Sequence, residues 1–240
     1  MDYEAVISRN SQQNKNEKDG LHILLISIHG LIRGENLELG RDADTGGQIK
    51  YVLELTRALA QQPEVAQVVL LTRRIDDAQI DDDYAQAVEE LGDGARIVRL
   101  DAGPPDYLPK ETLWDHLDTF TDNALTYLRS TDALPDLVHS HYADGGYVGS
   151  RLSAQLGVPL IHTGHSLGRV KRRRLLATGL DSTTIEQRDS LSRRIEAEEQ
   201  TLASADRVIT RPSQEIEEQY GCFDDYQPDQ MRVVPPGPDL

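Results

Sequence analysis

Gly46 and Gly47 follow an acid and a hydroxyl, Asp44 and Thr45, at N-cap positions, and precede a helical run. The chemistry such residues suit is anion binding. A glycine pair at a helix start leaves backbone N–H groups unobstructed, with the positive end of the helix dipole behind them, which favours a phosphate or pyrophosphate. The plainer alternative is that the pair only permits a tight turn, and the residues alone leave both open. The spacing is not G-x-G-x-x-G, and no G-x-x-x-x-G-K-[ST] occurs in the chain, which speaks against nicotinamide enzymes and P-loop nucleotidases. His139 and His141, at i and i+2 on a strand-like run, point the same way and invite a metal, but no third ligand stands at a plausible spacing. His165 lies in Thr163-Gly164-His165-Ser166-Leu167-Gly168, where small neighbours let an imidazole reach a ligand, although a lone histidine is more often structural. Lys110, in Tyr107-Leu108-Pro109-Lys110-Glu111, opens a helix where the dipole disfavours a cation; by itself it reads equally as a surface lysine. The other cations gather at Arg169, residues 171–174, Arg188, Arg193 and Arg194. Guanidinium forks suit phosphate, whereas the run 171–174 reads mostly as a solvated helix face.

These groups need a frame. Strand-like apolar runs recur at 21–28, 66–72, 95–100, 136–141, 158–163, 207–210 and 231–234. Helical stretches lie between most of them, at 47–60, 110–128, 146–156, 184–203 and 213–220. The first run, LHILLISI, is aliphatic at nearly every position, as in a strand buried on both faces of a parallel sheet. Ile49, Val52, Leu53, Leu55, Ala58 and Leu59 recur at helical spacing. Alternation of this kind predicts an α/β fold with a doubly wound parallel sheet, whose ligands bind outside the carboxyl ends of the strands. Each unusual motif falls there. The segment 75–94, rich in Asp and Glu, reads as a solvated surface insertion with a short helix.

Bulk properties narrow the class. A chain of 240 residues builds one large domain or two small ones. A mean hydropathy of −0.51, with no run near the roughly 20 apolar residues that span a bilayer, predicts a soluble protein. Residues 1–20 lack a basic start with an apolar core, so they read as a mobile polar tail and not a signal peptide. One cysteine, Cys222, excludes an intrachain disulfide and fits a reducing cytoplasm. The net charge of −16 argues against nucleic acid or an anionic membrane as partner, so any phosphate site must gather its cations locally.

Taken whole, the string HGLIRGENLELGRDADTGGQIKYV from His29 to Val52, with YLPKE, HYADGG and RRIEAEE further on, closely resembles sucrose-phosphate synthases from about residue 21 to residue 219. These glucosyltransferases join glucose from a nucleotide sugar to fructose 6-phosphate. The resemblance implies a Rossmann-like acceptor domain at 21–235, the N-terminal half of a GT-B fold, with an inter-domain hinge starting at 236–240. It implies that His165 acts at the glucosyl site, meeting the hydroxymethyl oxygen of the donor sugar in a positioning and electrostatic role. The amides of Gly46 and Gly47 would meet the leaving diphosphate. Gln48, Lys110, Arg188, Arg193 and Arg194 would bind the acceptor, with Lys110 and Arg194 on its phosphate. His141 and Asp144 would line the cleft. UDP-glucose and fructose 6-phosphate are the implied substrates of a retaining transfer, with no cofactor and no metal. The donor half is expected in a second domain that this chain does not contain, so the chain alone is expected to be inactive. A sucrose synthase, a mannosylfructose-phosphate synthase and a non-catalytic sugar-phosphate-binding or partner-binding module stay open as alternatives. Two places depart from the family pattern: Arg211-Pro212-Ser213-Gln214-Glu215 replaces S-T-x-Q-E, and Pro238 replaces an apolar hinge residue.

Overall fold

Successive residues of β1 (Leu21–Ile26) face opposite cores. Leu24 and Ile26 pack into one apolar cluster, while Ile23 and Leu25 pack into another. Burial on both faces is what an aliphatic run without polar alternation requires. The computed structural model describes residues 20–131, 134–210 and 216–235; the readings made on the tail, on residues 211–215 and on the hinge lie outside them. β1 is central to a sheet completed by β2 (Val65–Arg73), β3 (Val88–Gly92), β4 (Ala95–Leu100), β5 (Leu137–His141), β6 (Leu160–Thr163), β7 (Arg207–Thr210) and β8 (Met231–Val233). The order is β3-β4-β2-β1-β5-β6-β7-β8, and every neighbouring pair is parallel except the antiparallel β3–β4 edge.

Helices cover both faces. On one side α1 (Gly47–Ala60) buries Ile49, Val52 and Leu53 against Ile23, Leu25, Val68 and Leu70. On the other, α2 (Leu117–Arg129), α3 (Tyr142–Leu156) and α6 (Leu191–Ser204) place Phe120, Val148 and Leu202 in the larger cluster. Burying one such side chain contributes about 1.5–3 kcal/mol. The chain winds outward from β1 through β2 to β4, then crosses back to β5, so the direction of winding reverses between β1 and β5. That reversal opens the crevice where doubly wound sheets bind ligands. The fold is therefore the expected doubly wound, Rossmann-like α/β sheet.

Three details differ from the expectation. The acidic insertion holds a 3-10 turn (Asp82–Ala85), capped by Asp81, but also the unforeseen strand β3. The stretch before α2 is a turn and a 3-10 helix (Leu113–His116), and α3 begins at Tyr142 instead of 146. Residues 171–174 do lie on a helix, as their reading as a helix face expected: α4 (Gly168–Ala177). The long helix expected at 184–203 is two, α5 (Ser182–Asp189) and α6, parted at Ser190 with φ 47°. Among the described residues no helix is long and apolar enough to cross a membrane.

Candidate active site

The loop that carries the glycine pair is fixed by its own side chains. Asp42 Oδ1 accepts the N–H groups of Asp44 and Thr45 at 2.8 and 2.7 Å, and Thr45 Oγ1 accepts that of Leu31 at 3.1 Å. Neither Asp44 nor Thr45 caps α1, contrary to the expectation: Gly46 holds the N-cap position, with no side-chain cap. Gly46 is extended at φ −121°, and neither it nor Gly47 has the positive φ that demands glycine. A Cβ built on either would meet no atom within 4 Å among the described residues. The tight-turn account of this pair therefore has no backbone or packing requirement behind it. Gln48 Nε2 reaches Ser27 Oγ, 3.3 Å away just past β1.

Asp44 turns instead to Lys110. One Asp44 oxygen accepts the Lys110 backbone N–H at 2.9 Å, and the other takes the Lys110 ammonium. Burial alone would raise the Asp44 carboxyl and lower the Lys110 ammonium, but their mutual hydrogen bonds and charges outweigh it. Asp44 is held below its ordinary range and Lys110 above its own, so both stay charged. Lys110 lines a cavity at the carboxyl edge of the sheet together with Glu111, Trp114, Tyr142 and Asp144, and with Lys171, Asp189 and Arg194 from α4, α5 and α6. Each cavity cation has a carboxylate partner: Lys171 Nζ lies 2.6 Å from Asp189, and Arg194 Nε lies 2.9 Å from Glu198. Arg194 also donates from Nη2 to Ser166, and its guanidinium lies 4.4 Å over the Tyr142 ring. Glu198 in turn accepts the Gly168 N–H, which ties the loop after β6 to α6. Asp144 faces His29: its Oδ2 lies 2.7 Å from His29 Nδ1, and its Oδ1 takes the Gly145 N–H.

His139, His141 and His165 form a stack, of which the first two are buried. His139 and His141 rings lie 4.4 Å apart, and His141 and His165 rings 5.3 Å apart. Burial, then the neighbouring His162, pushes His139 down to about 3; burial pushes His162 down to about 4. These are neutral rings. The parallel pair His139 and His141 does not make a metal-holding group with any third His, Cys, Asp or Glu among the described residues. His165 and Tyr142 both adopt left-handed backbone, φ 57° and 65°, at the carboxyl ends of β6 and β5. For bulky residues that conformation costs about 1–3 kcal/mol and clusters at functional sites.

The structure thus brings Lys110, Arg194 and Asp144 to one cavity, while His165, His141, Gln48 and the glycine pair are not among the residues that line it. Arg193 and Arg188 are not on its wall. Arg193 binds Asp115 and the Trp114 carbonyl, steadying the 3-10 helix beside Lys110, and Arg188 binds Asp189. Sequence reasoning missed Lys171, Tyr142, Trp114 and His29. Lys171 was hidden in a run of four cations of which it alone reaches Asp189. The positive φ of Tyr142 has no sequence signal at all.

Residues 46–237 match the model of the glycosyl transferase 4-like domain. Sucrose-phosphate synthase 4 of Arabidopsis thaliana is 44% identical over 90% of this chain, and the sucrose-phosphate synthase of Zea mays is 43% identical over 90%. The chain spans 23% and 22% of the length of those two relatives. A solved sucrose-phosphate synthase of Thermosynechococcus elongatus superposes with a TM-score of 0.71 at 30% identity, covering 91% of this chain and 48% of that one.

Proposed function

This chain belongs to the glycosyl transferase 4-like domain family, and from that premise we propose that it forms the acceptor side of a retaining glucosyltransferase. The reaction is transfer of glucose from UDP-glucose to fructose 6-phosphate, giving sucrose 6-phosphate. The observation that carries this reading is one cavity at the sheet's switch point, lined by Lys110, Lys171 and Arg194, with Lys110 held by Asp44 two residues before the glycine pair that opens α1. An ammonium has three donors. Asp44 takes one from Lys110 and Glu111 Oε1 stands 3.5 Å from the same nitrogen, which leaves one for the acceptor phosphate. Arg194 spends Nε and Nη2 on Glu198 and Ser166, and its Nη1 makes no hydrogen bond among the described residues. The carboxylate partners hold these cations in place, so little ordering remains when a phosphate arrives. His165 positions the donor sugar, and the amides of Gly46 and Gly47 steady the leaving diphosphate. The nucleotide is held by a second domain, in keeping with relatives several times longer than this chain, and the chain alone carries out no transfer. This reading invokes neither metal nor cofactor.

Calorimetry tests it. The chain is expected to bind fructose 6-phosphate and not fructose. Lys110→Ala, shown folded by its melting curve, is expected to weaken binding by roughly 10- to 150-fold, the worth of one charge-assisted hydrogen bond of about 1.5–3 kcal/mol. Equal affinity for the sugar with and without phosphate would overturn the assignment.

A further inference from the structure

Between the end of β4 and Lys110 the chain reads D-A-G-P-P-D-Y-L-P. Pro104 and Pro105 have no N–H to give, and no strand or helix takes up the carbonyls there, so these must find donors elsewhere. One side chain answers three of them. Arg73, the last residue of β2, is buried, and its Nε donates to the Ala102 carbonyl at 2.8 Å. Its Nη2 donates to the carbonyls of Pro104 and Asp106. A guanidinium suits this task, since its donors lie in one rigid plane. Arg73 forms no ion pair among the described residues, whereas the buried Arg99 and Arg194 meet Glu89 and Glu198. Burial works against the charge of Arg73, and the more distant carboxylates of Asp101 and Asp106 favour it. A buried cation without a carboxylate is costly to keep, and what this one holds is loop backbone. The residues that follow it add two ties. The Asp76 N–H donates to the Pro105 carbonyl at 2.9 Å, and the Asp77 carboxylate accepts the Tyr107 N–H at 3.1 Å. Residues 102–107 are thus fastened to the carboxyl end of β2, and from Tyr107 the chain runs through Pro109 to Lys110.

We infer that Arg73 is a positioning residue: by gripping the carbonyls of Ala102, Pro104 and Asp106 it sets where Lys110 stands, although it is not itself among the residues that line the cavity. Asp44 takes hold of Lys110 where this loop delivers it. The consequence for binding rests on the reading that Lys110 meets the acceptor phosphate: a charge-assisted hydrogen bond is lost as fully when its donor is displaced as when it is removed.

A double-mutant cycle tests it, with fructose 6-phosphate binding measured by calorimetry on Arg73→Lys, Lys110→Ala and the two together. Arg73→Lys keeps the charge and loses the fork. Alone it is expected to weaken binding by roughly 10- to 150-fold, as Lys110→Ala does. In its presence Lys110→Ala should add a further loss of about twofold at most, the limit within which independent changes are told apart. Lys171→Ala, on α4 across the same cavity, should weaken binding as much in the Arg73→Lys chain as in the native one. Additive losses from Arg73 and Lys110 would overturn the inference, and so would a Lys171 effect that vanishes as well, since a merely loosened fold spares no one cation. If Arg73→Lys does not fold, the native chain decides: the Arg73 Nε–H should exchange with water far more slowly than that of the exposed Arg173, and equal rates would overturn the grip. The acceptor reading fails separately. If the native chain does not prefer fructose 6-phosphate to fructose, that assignment falls, and the placing of Lys110 is read from its amide, whose hydrogen Asp44 accepts. Exchange there should quicken in folded Arg73→Lys, and unchanged protection would sink the positioning role.

Discussion

Two glycine pairs in this chain answer to different physics. A Cβ on Gly145 would meet the Ile26 carbonyl at 2.9 Å, and one on Gly146 would meet Thr201 at 2.6 Å. Those glycines let α3 sit close to β1 and α6. Gly46 and Gly47 have no such neighbour. In the sequence the pairs look alike, T-G-G at the start of α1 and D-G-G within α3, because the reason for a glycine lies in what faces it. The difference is measurable. Gly146→Ala should destabilise the chain by about 1–3 kcal/mol, the usual cost of overpacking. Gly47→Val should stay within about 0.5 kcal/mol of the native stability, as substitutions away from packed features do. In the longer enzyme the same Val should lower turnover by on the order of 10²–10³, the scale of losing one preorganised oxyanion donor. Melting temperature and activity per folded molecule, taken on one preparation, separate the effects. A stability loss at Gly47 with intact turnover would make it a turn residue after all.

At the level of elements, what was legible is what local periodicity writes. α1 is helical over the expected 47–60, since its apolar stripe recurs at helical spacing and needs no partner to be recognised. β3 was not legible: V-E-E-L-G has no strand pattern, and its place at the sheet edge depends on Glu89 meeting the buried guanidinium of Arg99 from β4. The break at Ser190 was hidden for a similar reason. Helical pattern continues through it, yet Asp189 is drawn to Lys171 and Arg188, and the Glu186 carboxylate accepts the Ser192 N–H at 2.9 Å, starting α6 afresh. That new start carries Arg194 to the cavity and Glu198 to the Gly168 N–H. The pair Arg194–Glu198, nearly fully buried, is thus a clamp between two elements. Removing one partner from a buried pair typically costs about 3–5 kcal/mol, because the other charge is stranded. Glu198→Gln should therefore lower the urea midpoint and speed hydrogen exchange at the Gly168 amide. Arg188→Ala, which cuts a pair whose arginine is half exposed, should change stability by less than about 1 kcal/mol. Equal melting of Glu198→Gln and the native chain would leave the clamp without energetic content.

The molecule as a whole is acidic, with a net charge of −16, and each cation of its cavity is paired: Lys110 with Asp44, Lys171 with Asp189, Arg194 with Glu198. Beside those pairs stand three buried histidines, His139, His141 and His162, that the fold keeps neutral, and their neutrality has a consequence for acid stability. In the folded chain His139 titrates at about 3 and His162 at about 4, and His141 too is held well below its ordinary value. In the unfolded chain each ring titrates near pH 6.5. Below that pH the unfolded state binds the additional protons, so stability falls as pH falls. Each ring contributes a slope of about 1.4 kcal/mol per pH unit, beginning near pH 6.5 and ending at its folded pKa. Asp44 adds nothing in the upper part of this window: its folded pKa is depressed, so its contribution is whole above the ordinary carboxylate range and is lost only below it. Glu198 works in the opposite direction, since burial raises its carboxyl, but it is one group against three. Urea unfolding at pH 7, 6 and 5 should accordingly show a falling midpoint well above the pH of carboxylate titration. His162→Asn, whose amide can still meet Ser140, removes one titrating ring, so its stability should fall less steeply over the same interval even if it starts lower at pH 7. A midpoint that stays flat from pH 6.5 to 5, or an Asn variant with the native slope, would mean that the three rings take up protons without cost and are not held neutral by the fold.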